Sequence, residues 1–160
     1  MRQHPDLVRS LVSSGHELGN HTWGHRDLTR LGDAEIRTEF HETAALLAQH
    51  VPRPGRRWWR APFGARDSRV LRIASELGYV SVYWTLDSLD SVAPPKSHAF
   101  LVERIAHRSD AQLEGAIILM HVGEPATAEA LPEILSGLQR RGFELVTISR
   151  LLSSTASKDH

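Results

Sequence analysis

A chain of 160 residues that is 41% hydrophobic can bury one real core, and it reads as a single domain. Lys and Arg number 19, as do Asp and Glu, so the formal net charge is zero, which argues against nucleic-acid or anionic-membrane partners. There is no cysteine, so disulfides, CxxC zinc sites and thiol nucleophiles are excluded, and any metal has to be held by His, Asp or Glu.

The opening stretch, RQHPDLVRSLVSSG, is amphipathic and has no continuous apolar run of signal-peptide type. Pro5 suits the first turn of a helix and Gly15 its C-terminal cap, with Leu7, Val8, Leu11 and Val12 as the apolar stripe. A chain that opens directly in a helix leads to the expectation of a segment upstream. HELGNH follows as a short extended piece. Residues Asp33 to His50 carry Ile36, Phe40, Ala44 and Leu47 at helical spacing, with Asp33 placed to cap them. VPRPG breaks the chain, and RRWWRAPFG is a strand entering a Pro/Gly loop. SRVLRIASELG is a helix stopped by Gly78, and YVSVYWTLD is a β-prone strand. AFLVERIAHRS is helical, and GAIILMHVG is a continuous apolar strand of the kind parallel sheets bury. A last helix near ALPEILSGLQRRG precedes the strand FELVTIS, and residues 153–160 form a polar tail expected to be disordered. No run approaches the roughly 18 apolar residues of a membrane helix. Alternating strand and helix with short connections means an α/β domain, in which chemistry collects at the carboxyl ends of strands.

Four polar clusters fall at such ends. In GHELGNHTWGH, His21 and His25 are four apart, so in a helical turn both rings share a face and can bridge a divalent metal. On spacing alone the plainer reading is favoured, in which His21 caps a turn and His25 sits on the surface, and His16 reads as a surface or strand residue, not a ligand. In RWWRAPFG, Arg60 is a planar fork for a carboxylate or a surface ion-pair partner, and Trp58 and Trp59 read as core. The loop after Pro62 could aim the backbone N–H near Phe63 at an oxyanion. In WTLDSLDS, Asp87 and Asp90 either orient a histidine or build an Asp/Ser turn. In IILMHVG, His121 leaves a dry strand as a general-acid candidate or a core histidine, and Leu119 on the same face could floor a small apolar pocket.

Taken in order, HTWGH, RAPFG, DSLD and LMH resemble the successive motifs of the NodB-homology polysaccharide deacetylases, the family 4 carbohydrate esterases. The likeness runs from about residue 4 to 150, within a domain drawn at 1–152. It implies a distorted (β/α) barrel that lacks its first strand unit, and hydrolysis of N-acetyl groups on a polysaccharide or amino sugar. It further implies that His21 and His25 ligate a divalent metal, usually zinc in this family, and that Arg60 holds the catalytic base. The Phe63 N–H would help bind the oxyanion after Pro62, His121 would protonate the leaving amine with Asp90 tuning it, and Leu119 would line the acetyl pocket. The implied partner is an N-acetylated glycan. The compartment stays open, with cell envelope or secretion suggested if a signal peptide lies upstream.

Two departures qualify the resemblance. The family's Thr-Phe-Asp-Asp-Gly motif, which holds the general base and the third metal ligand, has no match; Asp6 sits at a helix start and does not replace it. As written, the metal keeps two protein ligands and Arg60 loses its carboxylate. Even lost outer-shell support costs about 10–100-fold in affinity, so such a site binds weakly. Ser91 stands where the family often has Trp, trimming one wall of the groove. The favoured expectation is a native protein with one more strand ahead of Met1. The alternatives are a catalytically weakened short form that binds glycans or a partner, and a related metal amidohydrolase acting on a small amide.

Overall fold

The computed structural model describes residues 4–50 and 57–156. The chain divides into two compact units, Met1–Tyr83 and Trp84–His160, each with its own core. The break at 51–55 expected from VPRPG lies outside the described residues, as do positions 157–160 of the expected tail.

In the first unit, α1 (Pro5–Ser13) starts on Pro5 and ends just before Gly15, whose φ of +84° is the left-handed conformation that glycine adopts without strain. Its stripe splits: Val8 turns inward, while Leu7 and Leu11, an i,i+4 pair on the adjacent face, are exposed. α2 (Asp33–Leu47) buries Ile36 and Phe40. Asp33 is not its cap. Gly32 holds that position, its N–H donating to Glu35 Oε2 at 3.0 Å, because the Asp33 carboxylate is taken by Arg69 at 2.9 Å. β1 (Arg57–Trp59) buries both tryptophans, as expected. α3 (Ser68–Glu76) is capped by Asp67, whose Oδ1 accepts the Val70 N–H at 2.8 Å, and Gly78 follows it at φ +78°. β2 (Tyr79–Ser81) then pairs parallel with β1. The core joins Phe40 to Trp59 and Tyr79, with ring centroids 5.1 and 4.9 Å apart, over Leu28, Ile36, Val70 and Ile73.

The single strand expected over YVSVYWTLD is two. β2 stays with β1, and the second unit opens on β3 (Leu86–Asp87), which pairs parallel with β4 (Ile118–Leu119). The chain changes partners at this point: Val82 N–H still reaches Trp59 C=O, but Thr85 N–H goes to Ile117 C=O. α4 (His98–Ala106) and the short α5 (Asp110–Leu113) lead to β4, and α6 (Pro125–Arg140) packs on α4 through Ile105, Ala130, Ile134 and Leu138. The strand expected at FELVTIS is absent. Among the described residues it has no ladder partner; Phe143 packs on the core, and from Ile148 the chain winds into α7 (Ile148–Ala156), which carries helix into the segment read as tail.

Candidate functional site

The histidine cluster of the first unit is built outward from Asn20, which is 1% exposed. Its backbone pairs with β1 on both sides, N–H to Trp58 C=O at 2.9 Å and C=O from Arg60 N–H at 3.0 Å. Its side chain is fully used: Nδ2 donates to Phe40 C=O (3.0 Å) and Tyr79 OH (3.1 Å), and Oδ1 accepts the Thr22 N–H (2.9 Å). This fixes the start of a loop in which Thr22 and His25 both take left-handed backbone, at φ 66° and 51°. The helical turn expected for His21 and His25 is therefore not there. The two rings meet because the loop reverses on itself at these positions, and their centroids lie 4.9 Å apart at 73°. Buried Glu39, on α2, clamps the same loop by accepting the Gly24 N–H at 2.6 Å.

His21 Nδ1 lies 2.8 Å from the Arg60 carbonyl. A carbonyl can only accept, so Nδ1 carries the proton and Nε2 holds the lone pair, the tautomer that a metal-binding imidazole takes when its other nitrogen is tied to backbone. The two rings are the pair that would hold a divalent ion through imidazole nitrogen. Among the described residues no group of three His, Asp or Glu side chains is placed to hold a metal ion. His16 is exposed, as expected of a surface residue.

Arg60 directly follows β1; it is half-buried, donates through Nε to Val82 C=O (3.4 Å), and burial lowers its pKa. Next comes a 3-10 turn, Pro62–Gly64, in which Pro62 is buried and Phe63 is 73% exposed at φ 57°. The Phe63 ring stands edge-on to His25, with centroids 4.8 Å apart.

The second unit carries its own polar cluster. Leu119, buried, ends β4. His121 emerges just beyond it, its side chain 39% exposed against 1% for Asp90. His121 Nδ1–H donates to Asp90 Oδ1 at 2.7 Å, while Oδ2 accepts the His121 backbone N–H (2.7 Å) and the Thr127 hydroxyl (2.8 Å). Burial pushes the Asp90 carboxyl upward, but the bonds from the His121 ring and amide, Thr127 and Ser88 outweigh it and hold the pKa below its ordinary value. On the far side of the ring, Ser91 Oγ is 3.5 Å from His121 Nε2. Asp87 takes no part: its Oδ1 accepts the Leu89 N–H at 2.8 Å and shapes the turn. The Asp pair thus divides into one residue that holds a histidine and one that makes a bend. Sequence reasoning missed Thr127, which lies in the first turn of α6 with nothing local to mark it, and Asn20, whose burial no spacing rule announces.

The sequence profile described as polysaccharide deacetylase matches residues 1–82. A chitooligosaccharide deacetylase of Bradyrhizobium sp. (strain ANU 289) is 33% identical over 162 residues, spanning 92% of this chain and 71% of that protein. The chain belongs to the polysaccharide deacetylase family. A peptidoglycan-N-acetylglucosamine deacetylase of Listeria monocytogenes is 30% identical over 150 residues, spanning 93% of this chain and 30% of that relative. Among solved structures, a CE4-family pseudoenzyme from Bacillus anthracis matches with a TM-score of 0.81 and 26% identity, over 94% of this chain and 51% of that one. A peptidoglycan deacetylase from Bacillus subtilis matches with a TM-score of 0.86 at 24% identity, over 99% of this chain and 74% of that one, which speaks to fold. The fold is thus the family's, the distorted (β/α) barrel type read from the sequence, and the family is one of carbohydrate-deacetylating hydrolases. This chain spans about half of the Bacillus anthracis structure and less of the Listeria protein. Among the described residues no helix is long and apolar enough to cross a membrane.

Proposed function

We propose that the protein is a metal-dependent hydrolase that removes N-acetyl groups from an N-acetylated glycan. The observation that carries this reading is the way two of the motif imidazoles are held through Nδ1. One imidazole is tied through Nδ1 to backbone beside a second histidine, and another is tied through Nδ1 to a buried carboxylate. His21 and His25 would hold the metal. When bound, it supplies Lewis acidity toward the acetyl carbonyl and an acidified water.

The chain's own groups have separable tasks. His121, protonated at Nε2, delivers a proton to the departing amine nitrogen, without which an amide C–N bond does not break. Asp90 keeps the ring oriented and stabilises its charged form, and Thr127 keeps the carboxylate oriented in turn. Arg60, half-buried beside the His loop, would hold a carboxylate base, the partner that no motif of this chain supplies. The backbone N–H at Phe63 serves the developing oxyanion, the left-handed turn after Pro62 setting its direction. Leu119 lines the acetyl pocket. The relatives that act on chitooligosaccharide and peptidoglycan support a glycan substrate.

The test is acetate release from N-acetylglucosamine oligomers with zinc added, together with the zinc content of the purified protein. Release that His121→Ala lowers by about 10²–10⁴-fold, the usual weight of a general acid, is expected. A protein that binds zinc but releases no acetate would favour the second reading, a weakened form that binds glycan without turnover. The likeness to a CE4-family pseudoenzyme supports that alternative.

A further inference from the structure

Ser91, where the family often carries Trp, places its hydroxyl against the one imidazole nitrogen that Asp90 leaves open. The order of contacts is Ser91 Oγ to His121 Nε2 at 3.5 Å, then His121 Nδ1 to Asp90 Oδ1 at 2.7 Å. Because a carboxylate only accepts, Nδ1 bears the proton and Nε2 of the neutral ring is a base facing an alcohol. The orienting carboxylate is buried and anchored by the His121 amide and Thr127, whereas Ser91 itself is exposed to an incoming substrate. A serine is a poor nucleophile until a positioned base takes its proton, and such a pair sits loosely until substrate tightens it. All three residues come from the second unit and involve no metal ligand.

We propose that Ser91, His121 and Asp90 form a second, metal-independent hydrolytic centre, a serine-histidine-aspartate triad acting on acetyl esters of exposed hydroxyl groups. It shares His121 and Asp90 with the deacetylase reading but not the metal. Ser91 Oγ attacks the acetyl carbonyl carbon while Nε2 takes the hydroxyl proton. The ester C–O bond breaks, the imidazolium returns that proton to the leaving alkoxide, and an acetyl-serine remains. Water then attacks the acetyl carbon, giving its proton to Nε2. The acyl–Oγ bond breaks, acetate leaves, and Ser91 regains its proton from the ring. Ester is the fitting class because an alcohol leaves more readily than an amine and asks less of the groups around it. The two activities use opposite forms of one ring: neutral His121 as base here, protonated His121 as acid in N-deacetylation.

The test uses the whole chain in excess chelator, so that N-deacetylase activity does not enter the readout. A fluorophosphonate probe followed by peptide mass spectrometry is expected to place its adduct on Ser91, and to lose it in Ser91→Ala and His121→Gln. p-Nitrophenyl acetate turnover is expected to survive chelation and to fall at least about tenfold in Ser91→Ala, the lower side of general-base effects. Ser91 is exposed, and circular dichroism checks that the variants keep their fold. No adduct, an adduct elsewhere or one that survives His121→Gln overturns the proposal, as does turnover unchanged by Ser91→Ala.

Discussion

Asn20 is wholly enclosed, yet every polar atom of its side chain is bonded, and two of those bonds tie the histidine loop to α2 and β2. Truncation strips the buried Thr22 amide of its acceptor and removes the bonds to the Phe40 carbonyl and the Tyr79 hydroxyl. Asn20→Ala is therefore expected to cost about 2–3 kcal/mol, on the scale of buried polar groups stripped of their bonds, and urea unfolding measures it. The His21 ring should also lose its fixed tautomer, which nitrogen NMR of the imidazole would report. Asp90 has a pH signature. Its pKa is lower folded than unfolded, so its contribution to stability is full above the ordinary carboxylate range and is lost as pH falls through the folded value. Asp90→Asn should therefore destabilise the protein at pH 7 and flatten the acid side of the stability curve. Parallel acid limbs for variant and wild type in urea titrations would contradict this.

At the scale of elements, the places of most helices and strands were legible, and the limits of the strands were not. α3 shows why: Asp67 before it, Gly78 after it and Val70, Ile73 and Ala74 on one face are all local signals. Asp67→Ala is expected to cost about 1 kcal/mol, the common weight of such a cap, seen as a lower denaturation midpoint with an unchanged slope. β2 and β3 read as one strand because YVSVYWTLD is continuously β-prone, but strand limits depend on which neighbour offers a ladder, and that neighbour changes after Val82. FELVTIS failed for the same reason. Site residues followed a similar rule. Motif order pointed to His21, His25, Arg60, Asp90 and His121, whereas Asn20, Glu39 and Thr127 act through bonds to positions between 15 and 59 away, which leave no local trace. The loop geometry was misread because spacing of four suggests a helical turn, and only the left-handed backbone at Thr22 and His25 shows otherwise.

For the whole molecule, a metal that binds the folded chain through His21 and His25 must stabilise it by mass action. At zinc 100-fold above its dissociation constant the gain is about 2.7 kcal/mol, several degrees in the melting temperature. Differential scanning calorimetry with and without zinc should show that shift, reversed by chelator and absent in His21→Ala with His25→Ala. A shift of equal size in the double variant would move the ion elsewhere. Zero net charge leaves no long-range field to draw a charged polymer in, so contacts made at the surface carry recognition. The three left-handed positions around the histidine cluster of the first unit, Thr22, His25 and Phe63, carry side chains where glycine would rest more easily, each at a cost of about 1–2 kcal/mol. A library selected only for heat tolerance should then enrich glycine at 22, 25 and 63. At position 25 such winners would gain robustness by discarding a ring proposed to bind metal, so directed evolution of this scaffold needs a paired screen for zinc retention in every round.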